Sequence, residues 1–149
     1  MRLVTRVLVS FMLLAPLQAF AQSQQESLLL RCVPFDDEGR KIANDAPCPK
    51  YETTIIQLLA RPEVFDGKRV IVRGFVHWEF ESSGIYIRRE DHDSGLTHNA
   101  LWIEFAEDAA QIGTCQDAYV TLEGIFRARE YGHRGIWSGT ISDVSRCLP

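Results

Sequence analysis

The chain has 149 residues, 46% of them hydrophobic and 24% charged, with 16 Lys and Arg against 20 Asp and Glu for a formal net charge of −4. That length fits one domain with a real core. The acidic balance argues against binding a phosphate backbone, which depends on Lys and Arg neutralising phosphates.

The N-terminus reads as a targeting segment. Arg2 and Arg6 flank the start of an apolar run from Val7 to Leu17, and Ala19-Phe20-Ala21 puts small residues at the two positions a signal peptidase reads. The run is too short to anchor the chain in a bilayer, so residues 1–21 are expected to be cleaved and the product to be periplasmic or secreted. A lipoprotein would need a Cys at the cleavage site, whereas the first Cys, Cys32, follows Leu30-Arg31. Removing 21 of 149 residues leaves 128; it removes two of the 16 basic residues and none of the 20 acidic ones, so the mature charge is −6.

All four Cys (Cys32, Cys48, Cys115, Cys147) lie in the mature part. An even count in a small exported protein predicts two disulfides, with three possible connectivities. The absence of a C-x-x-C pair argues against zinc-ribbon and thioredoxin-like sites. Residues 22–53 form an N-terminal extension: a polar start over Gln22–Glu26, a short strand or extended lead-in over Ser27–Val33, and a Pro34–Pro49 loop that a Cys32–Cys48 bond would tie down.

Thr54-Ile55-Ile56-Gln57 has capping-box spacing, which predicts a short helix from Ile55 to Ala60 ended by Pro62, then a helical turn over Pro62–Phe65. This helix is expected to plug one end of a barrel or to pack on its outside. From Asp66 to Glu81 the even positions Val70, Val72, Val76, Trp78 and Phe80 are apolar, the period that turns one face of a strand to a core, with Gly74 on the same register. A strand that long with an interior Gly is expected to bend and serve two sheets. After a turn at Ser82–Gly84, a second strand over 85–88 is expected to hold Ile85 and Ile87 inward and Tyr86 and Arg88 outward.

A polar excursion over Arg89–Asn99 precedes a third strand, Ala100–Phe105, with Leu101, Ile103 and Phe105 on one face and Trp102 and Glu104 on the other. A helical turn or short helix is expected over Ala106–Gly113. In the strand from Tyr119 to Glu130, Val120, Leu122, Gly124 and Phe126 repeat the register of Val70, Val72, Gly74 and Val76, as two neighbouring bent strands would. The last strand is expected over Gly135–Arg146. A hairpin centred on Gly132 gives facing residues numbers summing to about 264; Cys115 and Cys147 sum to 262, which favours pairing them.

The order of a helix, three meandering strands, a helical connection and two strands is that of an all-β protein with short helices: a five-stranded Greek-key barrel preceded by a short N-terminal helix. The run Pro62-x-x-Phe65-x-Gly67-Lys68-x-Val70-x-Val72-x-Gly74 resembles the opening of OB-fold domains of the tRNA-anticodon-binding-like type, and the resemblance spans Asp66 to Arg146. The mature chain also resembles small exported bacterial proteins without an assigned activity. What this implies is an OB-fold-like domain over 54–149, which does not by itself imply a function.

Asp91-x-Asp93 looks like the start of a calcium loop, but its Gly falls one position early and Trp102 stands where a bidentate Glu belongs. His92 and His98 with Asp91 or Asp93 are a conceivable zinc set, and Glu79, Glu81, Glu104 and Glu123 a conceivable acid–base set; a solvated loop and solvent-facing strand carboxylates account for both. No nucleophile motif or phosphate-cradling loop is present, and nothing implies a cofactor. OB domains bind through strands two and three and the loops joining strands one to two and four to five, which here offer Tyr86, Arg88, Trp102, Tyr131, His133 and Arg134. The expectation is an exported, non-enzymatic module recognising a protein or oligosaccharide rather than nucleic acid. The alternatives are an inhibitor or immunity protein that blocks a hydrolase or toxin, and a metal-dependent enzyme. In a competing reading, the 89–99 excursion covers Trp102 and Tyr131 merely finishes a turn.

Overall fold

Strand β1 (Arg31–Val33) runs antiparallel to β2 (Lys50–Thr54), with Cys32 opposite Tyr51, and the Cys32–Cys48 disulfide closes the loop between them. The computed structural model describes residues 31–33, 35, 40–42, 48–107, 109 and 115–149, of which Arg31–Pro149 is one compact unit. The expected leader, the polar start and most of the Ala106–Gly113 connection lie outside the described residues.

Thr54 caps α1 (Ile55–Ala60): its hydroxyl accepts from the Gln57 amide while the Gln57 side chain accepts from the Thr54 amide. The cap sets the helix start so that Ile55 and Leu58 turn into the core and Ile56 faces out. Pro62 opens α2 (Pro62–Phe65), which buries Val64 and Phe65. Gly67, at φ +73, then turns the chain into β3 (Arg69–His77).

One edge of β3 pairs with β6 (Ala118–Arg127) from Arg69 to Val76. Its other edge changes partner at Gly74: β2 runs parallel to Val70–Arg73, and β4 (Gly84–Tyr86) runs antiparallel to Phe75–His77. A side chain at Gly74 would lie 2.6 Å from the Tyr86 carbonyl and 2.7 Å from the Ile55 and Ile85 side chains, so only Gly lets the edges cross this closely. β4 pairs with β5 (Ala100–Phe105), β5 runs parallel to β7 (Thr140–Leu148), and β7 closes onto β6. The ring β3–β4–β5–β7–β6–β3 is a closed five-stranded barrel, and a barrel of this strand order fits an OB-fold. Closure leaves no free barrel edge, while Val70, Val72, Ile85, Leu101, Leu122, Phe126 and Ile141 fill the interior.

Three expectations change. β3 stops at His77, and Phe80 is 98% exposed at the tip of a turn rather than on the core face, because Glu79 and Ser82 bond each other's backbones across Phe80-Glu81. Cys115 and Cys147 do pair, but Cys147 faces Leu122 in the ladder and Cys115 precedes β6. The ladder runs from Arg127↔Thr140 to Thr121↔Leu148, because the connection spans 128–139 rather than a short turn at Gly132. Glu123 is not solvent-facing: its carboxylate lies 3.4 Å from Lys50 Nζ, with both side chains 6% exposed, and 3.8 Å from Arg146. This buried pair joins the extension to the barrel wall, since either charge left alone there would be costly.

Candidate binding surface at the barrel mouth

The outer face of β3, β4 and β5 carries two cross-strand rows, Phe75–Tyr86–Ala100 and His77–Gly84–Trp102. Side chains in such rows meet directly, so the composition of each row decides what can rest on it. Gly84 and Ala100 leave a depression between large rings, and Trp137 from the β6–β7 loop fills it. A side chain at Gly84 would lie 2.3 Å from Trp137 Cζ3. The Trp137 ring stands edge-on to Tyr86 at 5.6 Å and to Trp102 at 5.5 Å, both good aromatic geometries, and Trp137 is 3% exposed.

The same loop lays Gly132 on the Trp102 ring and stacks His133 over it at 6.4 Å. Gly132 sits at φ +60 and would put a side chain 2.5 Å from Trp102 Cγ, so both its backbone and its neighbour require Gly. Hydrogen bonds pin the loop at both ends: Thr140 Oγ1 to the Glu130 carbonyl at 2.8 Å, the Trp137 amide to the Tyr131 carbonyl at 3.2 Å, and Ser138 Oγ to the His98 carbonyl at 2.8 Å.

A second cover comes from the excursion between β4 and β5, which forms helix α3 (Arg89–Asp93) and a 3-10 turn over Thr97–Asn99. His92 packs on Tyr86 at 5.3 Å, on Phe75 at 5.8 Å and on His77 at 4.3 Å, while the Arg89 guanidinium lies 5.1 Å above the Phe75 ring. The Arg89 amide donates to Tyr119 Oη at 3.1 Å. His77 Nδ1 is 2.7 Å from Asp117 Oδ1; this hydrogen bond chiefly, opposed by desolvation and aided by electrostatic interaction with His77, Arg89 and His92, holds the Asp117 carboxyl below the usual carboxylate range.

These covers reassign the expected site residues. Tyr86 lies on the outer side of β4, as expected, but is only 2% exposed because Trp137 and His92 cover it; burial, helped by the charge of Glu79 and opposed by a hydrogen bond with Ser82, pushes its hydroxyl pKa up. Arg88 is exposed, and its amide donates to Asp91 Oδ2 at the start of α3. Trp102 is half-buried, its Nε1 donating to Glu104 at 3.2 Å, and Gly132, His133 and Trp137 of the 132–137 segment pack on its ring. His133 is half-buried, and its Nε2, like Trp137 Nε1, is buried without a hydrogen-bond partner among the described residues. Tyr131 is 50% exposed, and Arg134, at φ +59, donates to Glu81 at 3.4 Å. His92 turns in to His77, and among the described residues no three His, Cys, Asp or Glu side chains converge as a metal site.

The structure therefore joins the β3–β4 turn and the β6–β7 loop through Arg134 and Glu81. Left exposed on those two segments are Phe80, Tyr131 and Ile136, the last 42% exposed. Sequence reasoning overlooked Phe75, His77, Asp117 and Trp137. The available signal was a pair of glycines, Gly84 and Gly132, close in sequence to aromatic residues that needed somewhere to pack.

No family model and no curated protein matches the chain. Among solved structures it is similar to a putative aspartyl-tRNA synthetase from Leishmania major Friedlin, at 12% identity and a TM-score of 0.43, over 88% of this chain and 25% of that one. The chain thus spans about a quarter of the length of that structure, and the strand order of the barrel, rather than this likeness, is what fits it to an OB-fold.

Proposed function

We propose that the chain is an exported, non-enzymatic binding module on a Greek-key OB barrel, and that it recognises a protein through the two loops at the barrel mouth. The observation that carries this reading is the division of the aromatic residues. Around the barrel mouth Phe75, Tyr86 and Trp137 are buried and Trp102 is half-buried, whereas Phe80 and Tyr131 are left exposed on the loops with Ile136; Tyr119, beside Phe75 on β6, is the strand aromatic that stays 47% exposed. A sugar ring or base stacks on an open aromatic face, which Trp137 and His92 already occupy. Exposed apolar side chains on loops tied to a rigid scaffold suit a protein surface instead. The two disulfides fit an oxidising compartment, as export requires.

The test is a pull-down of the oxidised mature protein, Gln22–Pro149, from an extract of its own cell envelope, beside a Tyr131→Ala, Ile136→Ala double variant. One protein held by the native form and lost from the variant is the expected result. Equal retention by both forms would remove the β6–β7 loop as the contact surface.

A further inference from the structure

Phe80 is 98% exposed, far more than any other large apolar side chain among the described residues. It occupies a central position of a tight turn, where Gly, Pro, Asn, Asp or Ser would serve the backbone better and where an aromatic ring gains nothing from its own fold. The turn is also held firmly. The Glu79 amide donates to the Ser82 carbonyl at 3.1 Å and the Ser82 amide to the Glu79 carbonyl at 3.3 Å. Ser83 Oγ donates to the Glu79 carbonyl at 2.9 Å, and Arg134 holds the Glu81 carboxylate at 3.4 Å. At the base of the turn, the Trp78 amide donates to Gln116 Oε1 at 3.2 Å. A ring on a fixed backbone loses little conformational entropy on docking, which is the condition under which an aromatic anchor contributes most to affinity.

The charges beside the ring narrow the partner. Glu79 and Glu81 flank Phe80 and are both exposed; Glu81 is shared with Arg134, whereas the Glu79 carboxylate makes no ion pair among the described residues. An apolar knob with a carboxylate collar is complementary to an apolar pocket rimmed by cations. We propose that Phe80 is the anchor of the binding surface and enters an apolar pocket rimmed by Lys and Arg on a partner protein. The proposal rests on the reading of the barrel mouth as a protein-binding surface.

The test places a photoreactive benzoyl-phenylalanine at position 80 of the full chain in its native cells, with Ile56, 61% exposed on α1, as the control position. Irradiation is expected to link position 80, but not position 56, to one protein. The purified partner should then bind Phe80→Ala at least about 30-fold more weakly than the native protein, the loss typical of an interface anchor. Glu79→Lys should weaken binding less and flatten its dependence on salt. Equal crosslinking at both positions, no crosslink at 80, a crosslink to a glycan, or a Phe80→Ala effect within about threefold would each overturn the proposal. If Phe80→Ala binds normally while Tyr131→Ala, Ile136→Ala does not, the anchor is misassigned and the mouth remains the binding surface. If neither variant affects binding, both readings fall.

Discussion

The barrel interior and the centre of the outer face of β3–β4–β5, at Phe75, Tyr86 and Ala100, are both apolar and both buried, yet they are closed by different means. The interior is sealed by strand pairing around a complete ring, so an inward position such as Leu122 or Ile141 is buried as soon as the barrel closes. The outer face is sealed by two connecting segments, one bringing His92 and the other Trp137. Its burial depends on where loops land, which makes the outer layer the part of the fold that a single side chain can undo.

The sharpest way to separate the two layers is to damage each in turn. Phe126→Ala removes a fully buried ring from the interior and should cost about 3–5 kcal/mol, read as a fall in the urea midpoint, because the ring of strands cannot collapse into the void. Gly84→Val instead fills the seat of Trp137 and should cost only about 1–3 kcal/mol. It should also red-shift the tryptophan fluorescence as the β6–β7 loop lifts, with the far-ultraviolet spectrum of the barrel retained. Equal costs for the two variants would mean that the outer cluster is continuous with the interior.

The smallest effect at neutral pH belongs to Tyr86. Burial raises its hydroxyl pKa above the ordinary value of about 10, so the fold favours the neutral form. The resulting stability is complete below about pH 10 and is lost as pH rises through the raised value. Tyr86→Phe should differ from the native protein by about 1 kcal/mol or less at pH 7 and should lose less stability than the native protein at alkaline pH, measured by urea melts at both. Parallel losses in the two proteins would show that the Tyr86 hydroxyl stays wet and that the loop cover is loose.

Much of the interior was legible because it depends on neighbours in sequence. The alternation of Val70, Val72 and Val76 and its echo in Val120, Leu122 and Phe126 marked two strands that do pair, Val72 opposite Leu122. Thr54 and Gln57 form the capping box that their spacing predicted. The cysteine pairs are the favoured ones, although the facing-number argument for Cys115 and Cys147 placed the hairpin too tightly. Phe80 broke the alternation because the turn began before the apolar pattern ended.

The candidate surface was much less legible. Tyr86 and Trp102 were correctly placed on the outer side of their strands, but one is buried and the other half-covered. The sequence by itself determined which side of each strand a residue occupies, because backbone pleating is a local property with a period of two. Only the tertiary structure decided what lies over that side, because Trp137 reaches Gly84, and Arg134 reaches Glu81, across some fifty residues that local pattern cannot span.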